Sequence, residues 1–396
     1  MRKSFQIQPA KRMDALPTQF FASLVAKVQN KVNQGCDVIN LGQGNPDLPT
    51  PSHIVNALQE AAENPLYHKY SPFQGYPFLK EAIAEFYRRE YQVDIDPETE
   101  VAILFGGKSG LIEVSQCLLN PGDSCLVPDP GYPDYWSGIA LAEAKMSYMP
   151  LRPENQFLPD YKEIGQEALD EAKLMFLNYP NNPTASVATA DFFRETVDLA
   201  YDHSIAVVHD FAYGAIGFDG KKPISFLQTP GAKEVGIEIY TLSKTYNMAG
   251  WRVGFALGNK EMIRLINLLQ DHQFVSLFGG IQAAAATALL DSQGCVEQLV
   301  QTYENRRNSF FAQLDQMGWK ATPSEGSFFA WLPVPTGFTS ASFADLLLEE
   351  AHIVVAPGIG FGQQGDAFVR VGLLTDEDRA REAIKRVEQL GIFHVT

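Results

Sequence analysis

The stretch IEIYTLSKTYNMAGWRVGFALG, residues 237–258, governs how the rest of the chain reads. It holds two short apolar runs, IEIYTL at 237–242 and VGFALG at 253–258. Each has the length and continuous apolar character of a strand buried on both faces. Four more such runs lie upstream: VAILF at 101–105, SCLVP at 124–128, KLMFLN at 173–178 and IAVVHD at 205–210. Most are separated by segments long enough for a crossover helix, which predicts a mainly parallel sheet covered by helices on both faces. In such a sheet the functional groups gather just past the strand ends.

Further out, Pro51 to Glu63 and Tyr76 to Tyr91 have the spacing of amphipathic helices, the second aligning Leu79, Ile83 and Phe86. From about residue 295 the pattern changes to a long polar helix, Val296 to Met317, then strands around SFFAWLPV and AFVRVGLL, then a helix from Thr375 to Leu390. The predicted organisation is a large α/β unit over 51–292, a smaller α+β unit over 293–396, and a segment 1–50 that packs with the smaller unit. More than one core is the ordinary outcome for 396 residues. No internal repeat or low-complexity segment interrupts the pattern.

Composition narrows the function classes. The formal net charge is −16, with no basic cluster to oppose it, so the long-range field repels nucleic acid and anionic lipid surfaces. Four cysteines, at 36, 117, 125 and 295, form neither a CxxC pair nor a disulfide scaffold, which suits free thiols in a reducing, cytoplasmic setting. MRKSFQIQPAKR lacks the apolar core of a signal peptide. The run Leu277 to Leu290 is too short to span a bilayer and reads as a buried or interface helix.

Within the opening stretch, Lys244 follows a buried strand directly, among the hydroxyls of Thr241 and Ser243 and with Arg252 eight residues on. A strand-end amine can condense with a carbonyl, and hydroxyls beside a guanidinium suit a phosphate dianion. Asp210 ends the run IAVVHD, with Tyr213 three residues later. A carboxylate at such a place needs a partner, and a protonated ring nitrogen would be one; a helix N-cap is the plainer role. FLNYPNNPTA places Asn182 in a turn after a strand, either as a donor to a ring oxygen or simply as turn chemistry. In LFGGKSG a glycine turn opens a helix, whose first amides bind phosphate. Tyr132 in VPDPGYPDY can stack on a flat heterocycle or serve as a core tyrosine. Arg370 lies inside an apolar strand, so a carboxylate from a side chain or ligand is expected beside it.

GFGQQG at 360–365 formally fits the dinucleotide fingerprint GxGxxG, but a strand rather than a helix follows it, which argues against that use. The seven histidines show no metal-ligand spacing, and no metal is expected.

Taken in order, VINLGQGNPDLPTP, HKYSPFQGYPFLKEAIAEFY, GGKSG, DPGYPDY, NYPNNPT, HDFAY, TLSKTYNMAGWRVG and FVRVGLL resemble the class I/II aminotransferases of the fold-type I pyridoxal-phosphate enzymes. The series covers almost the whole chain. Several stretches are most similar to the bacillary methionine-salvage branch, with the diaminopimelate aminotransferases next. The resemblance implies that Lys244 carries pyridoxal 5'-phosphate and that Asp210 partners its ring nitrogen. It implies that Asn182 and Tyr213 hold the ring oxygen and that Tyr132 stacks on the ring. Gly107, Lys108, Thr241, Ser243 and Arg252 match the phosphate cup. Arg370 matches the clamp on the substrate α-carboxylate, and Gly44 and Asn182 lie beside it. Tyr70 matches a tyrosine that reaches a neighbouring subunit's phosphate, which implies a homodimer with shared sites.

One departure is that NNPT is usually followed by Gly and here by Ala185, which bears on the local turn. Another is that no motif supplies the extra arginine used for acidic side chains. The function implied is ping-pong transfer of an amino group between an amino acid and a 2-oxo acid. A carbon-sulfur β-lyase would need nearly the same residues, while a regulator of this fold would need a basic extension that the chain lacks. Phe20, Phe21, Tyr70 and Phe278 are candidates for an apolar pocket favouring methionine-like or aromatic side chains, with diaminopimelate as the alternative.

Overall fold

The computed structural model describes residues 6–17 and 20–393, with Phe20–Ser23 described as backbone only. A helix, Phe20–Asn33, leads to the short strand β1 (Ile39–Asn40). Helices Ser52–Ala62 and Pro77–Tyr91 follow. Next come β2 (Val101–Leu104), β3 (Ser124–Asp129), β4 (Lys145–Pro150), β5 (Ala172–Asn178), β6 (Ala206–Asp210), β7 (Gly236–Thr241) and β8 (Gly254–Gly258). These seven form one sheet in the order β2-β8-β7-β6-β5-β3-β4. The five strands from β7 to β4 run parallel, while β8 lies antiparallel to both its neighbours.

All of β2, β3 and β7 is buried, the consequence of having apolar side chains on both faces between two helical layers. One layer packs Leu79, Ile83, Phe86 and Tyr87 of helix Pro77–Tyr91 against the sheet. The other packs Leu111 and Val114 of helix Gly107–Leu118 against Ile237 and Ile239. The run 277–290 is realised as helix Gly279–Leu290, which is largely buried. The edge strand β4 is not expected from the sequence because its pattern, KMSYMP, carries no apolar run and buries only Met149.

Past helix Gly294–Met317, β9 (Phe329–Pro333), β10 (Ile353–Val354), β11 (Ala356–Pro357) and β12 (Phe368–Gly372) build two smaller sheets. β12 pairs antiparallel with β9 and β11, and β10 pairs parallel with β1. Ile39 and Leu41 therefore share a core with Phe310, Leu314, Leu347, Val371 and Ile384. GFGQQG forms two short turns, Gly358–Phe361 and Gln363–Gly365, and then enters β12, with no helix after it.

Candidate active site

β5, β6 and β7 end side by side at Asn178, Asp210 and Thr241, so a concave site opens beyond their C-terminal ends. A cavity of about 460 Å³ lies there. The large sheet and the loops and helices that follow its strands contribute Gly107, Lys108, Tyr132, Asn182, Asp210, Tyr213, Thr241, Ser243, Lys244 and Arg252 to its lining. The smaller sheets and the N-terminal segment contribute Gly44, Phe329 and Arg370.

Lys244 sits in the turn Leu242–Thr245, one step beyond β7. Its Nζ donates to the Gly44 carbonyl at 2.8 Å, bridging 200 residues of sequence. Burial pushes the ammonium down to about 8, helped by the positive charges of Arg370 and Arg252. A neutral amine, the form that condenses with a carbonyl, is thus available near neutrality. Asp210 faces the same cavity and accepts from the Tyr135 hydroxyl at 2.8 Å. Burial raises its carboxyl to about 6 despite that bond. Rather than capping a helix, it ends β6 as a buried acid for which a cationic ligand would be the natural complement.

Opposite these groups, helix Gly107–Leu118 starts at the cavity after Gly106, whose φ of +80° only glycine adopts readily. A Cβ on Gly106 would stand 2.5 Å from Arg252 Nη2, so a side chain there would displace the guanidinium. Arg252 Nη1 donates to the Ala249 carbonyl at 2.9 Å, and Thr241 Oγ1 lies 2.9 Å from Ser243 Oγ. Guanidinium, hydroxyls and helix start make a cup for a small dianion. Lys108 lines the cavity too, but its Nζ is paired with Asp134 Oδ1 at 2.8 Å.

Arg370, with 4% of its surface exposed, donates to Asn182 Oδ1 at 2.8 Å and to the Gly42 carbonyl at 3.0 Å. Its guanidinium stacks on Phe329 and Phe361, 4.1 and 4.7 Å from the ring centres. Burial holds it down at about 10. The cation is pre-oriented toward a planar anion. Asn182 keeps its place although Ala185 stands where glycine is usual. Ala185 adopts the left-handed conformation itself, at φ +62°, and its N–H closes the turn onto the Asn181 carbonyl at 2.9 Å.

The family described as aminotransferase class I and II matches residues 36–387. The L-glutamine–4-(methylsulfanyl)-2-oxobutanoate aminotransferase of Bacillus subtilis is 63% identical over 96% of this chain and 95% of its own. The LL-diaminopimelate aminotransferase of Dehalococcoides mccartyi is 43% identical over 96% of this chain and 97% of its own. Among solved structures, apo-BacF from Bacillus subtilis superimposes with a TM-score of 0.95 at 50% identity, covering 99% of this chain and all of that one. The chain belongs to the class I and II aminotransferases. Its fold is the fold-type I architecture of that class.

Class I and II aminotransferases depend on pyridoxal phosphate, and this aminotransferase does too. The cavity suits that group: a cup for its phosphate, an amine of lowered basicity for its aldehyde, and a buried acid for its ring nitrogen. Tyr70 is 90% exposed and is not part of this chain's cavity. Phe278 also lies outside it, stacked on His68 at 6.4 Å, and the side chains of Phe20 and Phe21 fall outside the described residues. The apolar wall is instead formed by Leu24, Val25 and Val28 of helix Phe20–Asn33, together with Leu111, Phe329 and Val354.

Several contributors carried little signal in the sequence. Tyr135 sits three residues after Tyr132 in DPGYPDY, yet nothing in the sequence marks it as the donor to Asp210. Asn178 bonds through Nδ2 to the Asp210 carbonyl at 2.7 Å and through Oδ1 to the Asn182 N–H at 2.7 Å, coupling the two segments. Leu24 and Val28 are spaced i, i+4, which marks a helix face but not what it covers.

Proposed function

We propose that this aminotransferase acts on 2-oxo acids with methionine-like side chains, 2-oxo-4-methylthiobutanoate above all, as the B. subtilis relative is named for doing. The observation that carries the reading is the composition of the cavity wall. Its cations are Lys108, Lys244, Arg252 and Arg370, of which Lys108 is paired with Asp134. The others are claimed by aldehyde, phosphate and α-carboxylate, and the rest of the lining carries Leu24, Val25 and Val28 beside the uncharged Asn40 and Gln43, with no further cation. Such a wall gains about 0.8 kcal/mol for each buried methylene and leaves a side-chain carboxylate desolvated.

Bound pyridoxal phosphate supplies an aldehyde that condenses with amines and a protonated ring that draws electrons from the substrate Cα. The residues of the chain do the rest in this reading. Asp210 holds the proton on the ring nitrogen, while Asn182 and Tyr213 bind the ring oxygen and Tyr132 covers a ring face. Gly107, Thr241, Ser243 and Arg252 hold the phosphate, with Lys108 at the rim. Arg370 and the Gly44 backbone fix the substrate carboxylate, and Lys244 Nζ moves the Cα proton. Two half-reactions sharing one site give ping-pong kinetics.

We also assign a homodimer in which Tyr70 completes the partner's site, because Tyr70, Leu66 and Phe73 leave 90%, 60% and 56% of their surfaces exposed on one chain. Residues 51–292 and 293–396 are taken as the large and small domains, with 1–50 packing on the latter. No helix among the described residues is long and apolar enough to cross a membrane, and a cytoplasmic enzyme is the setting that the free cysteines favour.

The test is kcat/KM for 2-oxo-4-methylthiobutanoate, phenylpyruvate and oxaloacetate with a panel of amino donors. The methylthio acid should lead by tenfold or more over oxaloacetate. Preference for oxaloacetate would overturn the apolar-pocket reading. Use of diaminopimelate as the best donor would move the enzyme to the diaminopimelate branch, and pyruvate with ammonia formed without an acceptor would mark a β-lyase.

A further inference from the structure

His209 is fully buried on β6 next to Asp210, and because side chains alternate along a strand it points to the opposite face of the sheet. Its Nδ1 lies 2.7 Å from Glu238 Oε2 on β7, where the two residues are direct cross-strand partners. Its Nε2 meets the backbone of Tyr179, with the carbonyl oxygen at 3.0 Å and the N–H at 3.3 Å.

Glu238 is also fully buried. It accepts from the Tyr87 hydroxyl at 2.7 Å, the Ser225 hydroxyl at 2.8 Å and the Phe226 N–H at 2.9 Å, besides His209. A carboxylate has about four acceptor sites, and these three donors together with His209 occupy them here. The imidazole is packed by Phe193, Phe211 and Phe226, with ring centres 5.1, 5.1 and 6.3 Å away. Both nitrogens and the ring faces are therefore committed to fixed partners.

Those partners are the roots of the site. Tyr179 stands immediately before the turn that presents Asn182, Glu238 lies on the strand that leads to Lys244, and His209 adjoins Asp210. We propose that His209 is a positioning residue: by tying the Tyr179 backbone to Glu238 it fixes the end of β6 so that the Asp210 carboxylate meets the cofactor's ring nitrogen. The inference rests on Asp210 being that partner, as proposed above.

The bonds can be cut one at a time, because a glutamine amide reaches the place of Nε2 and an asparagine amide the place of Nδ1. His209→Gln keeps a contact to Tyr179 and loses Glu238, His209→Asn does the reverse, and His209→Phe removes both. Ser225→Ala is the control, since it deletes a donor to Glu238 without touching the Tyr179 link. The readouts are the dissociation constant of the cofactor-free protein for pyridoxal phosphate, measured by fluorescence titration, and kcat and KM of the holoenzyme. Either His209 amide variant should weaken cofactor binding and lower kcat by about tenfold or more, with KM for the amino donor within twofold. Ser225→Ala should change the melting temperature but leave the dissociation constant within twofold.

A double-mutant cycle separates positioning from general structural damage. In an Asp210→Asn background, His209→Gln should weaken cofactor binding by less than twofold further. An undiminished effect in that background would overturn the proposal, and so would a folded His209→Gln enzyme with normal cofactor affinity. If Asp210→Asn by itself leaves the affinity and turnover unchanged, it is the assignment of Asp210 that fails.

Discussion

Asp210 shows most plainly how this site trades stability for function. Its carboxyl is raised to about 6 in the folded chain by burial, from an ordinary value of 3.8. A raised carboxyl favours the fold while protonated, below about pH 4, and that advantage is lost as the pH rises through 6. The displacement corresponds to about 3 kcal/mol. Calorimetry of cofactor-free Asp210→Asn should therefore show its stability relative to the parent improving by up to that amount between pH 4 and pH 8. The same variant should lose turnover by orders of magnitude, because an amide does not keep a ring nitrogen protonated. A pH-independent stability difference would remove the burial argument. Ala185 provides a second case at this scale. Glycine would relieve about 1–2 kcal/mol of left-handed strain, but it gives up a buried methyl worth about 0.8 kcal/mol and loses more chain entropy. Chemical denaturation should thus find Ala185→Gly within about 1 kcal/mol of the parent, whereas the β-branched Ala185→Val should lose 2 kcal/mol or more. A neutral Val variant would mean that the turn has another conformation.

At the scale of elements, much of the site was legible because strand ends and turns announce themselves. The six apolar runs, the glycine turn before helix Gly107–Leu118 and the Lys244 turn all lie where the sequence placed them. The six runs are read reliably because strands buried on both faces cannot alternate in polarity. Edge strand β4 alternates only weakly, and helix Phe20–Asn33 covers the cavity through Leu24 and Val28, so neither could be placed from pattern alone. Nor does sequence show which distant charges meet. Asp37, just before β1, binds Arg379 at 2.8 Å and Arg386 at 2.5 Å on helix Glu377–Gln389. Those guanidiniums hold its carboxyl down at about 2, below the ordinary 3.8. A depressed carboxyl stabilises the fold above about pH 4 and ceases to as the pH falls toward 2. The melting temperature of Asp37→Asn should accordingly lie below that of the parent at pH 7, with the gap narrowing as the pH falls from about 4 to 2. A gap that stays constant would show that the pair adds nothing, as exposed pairs often do.

For the whole molecule, the family resemblance names the residues expected at one site, and the fold shows how most of them meet. Gly44 and Lys244 are 200 residues apart yet share a hydrogen bond, and Arg370 reaches Asn182 across 188. Tyr70 lies outside the cavity of its own chain, and the proposed homodimer would give it a place in the partner's site. Sedimentation should give twice the 43.8 kDa of one chain, and Tyr70→Phe should weaken cofactor affinity without altering that mass. A fully active monomer would contradict the shared site.

The proposed attachment point of the cofactor is the amine of Lys244. Lys244 is half-buried, lowered to about 8 and lines the cavity, whereas Lys108, on the opposite wall, is paired with Asp134. Borohydride reduction of the holoenzyme followed by peptide mass mapping reads the attachment point directly. The expected result is one pyridoxyl group per chain, on the peptide that contains Lys244, and none in the Lys244→Ala variant. A pyridoxyl group found on Lys108 or any other lysine, with Lys244 unmodified, would contradict it.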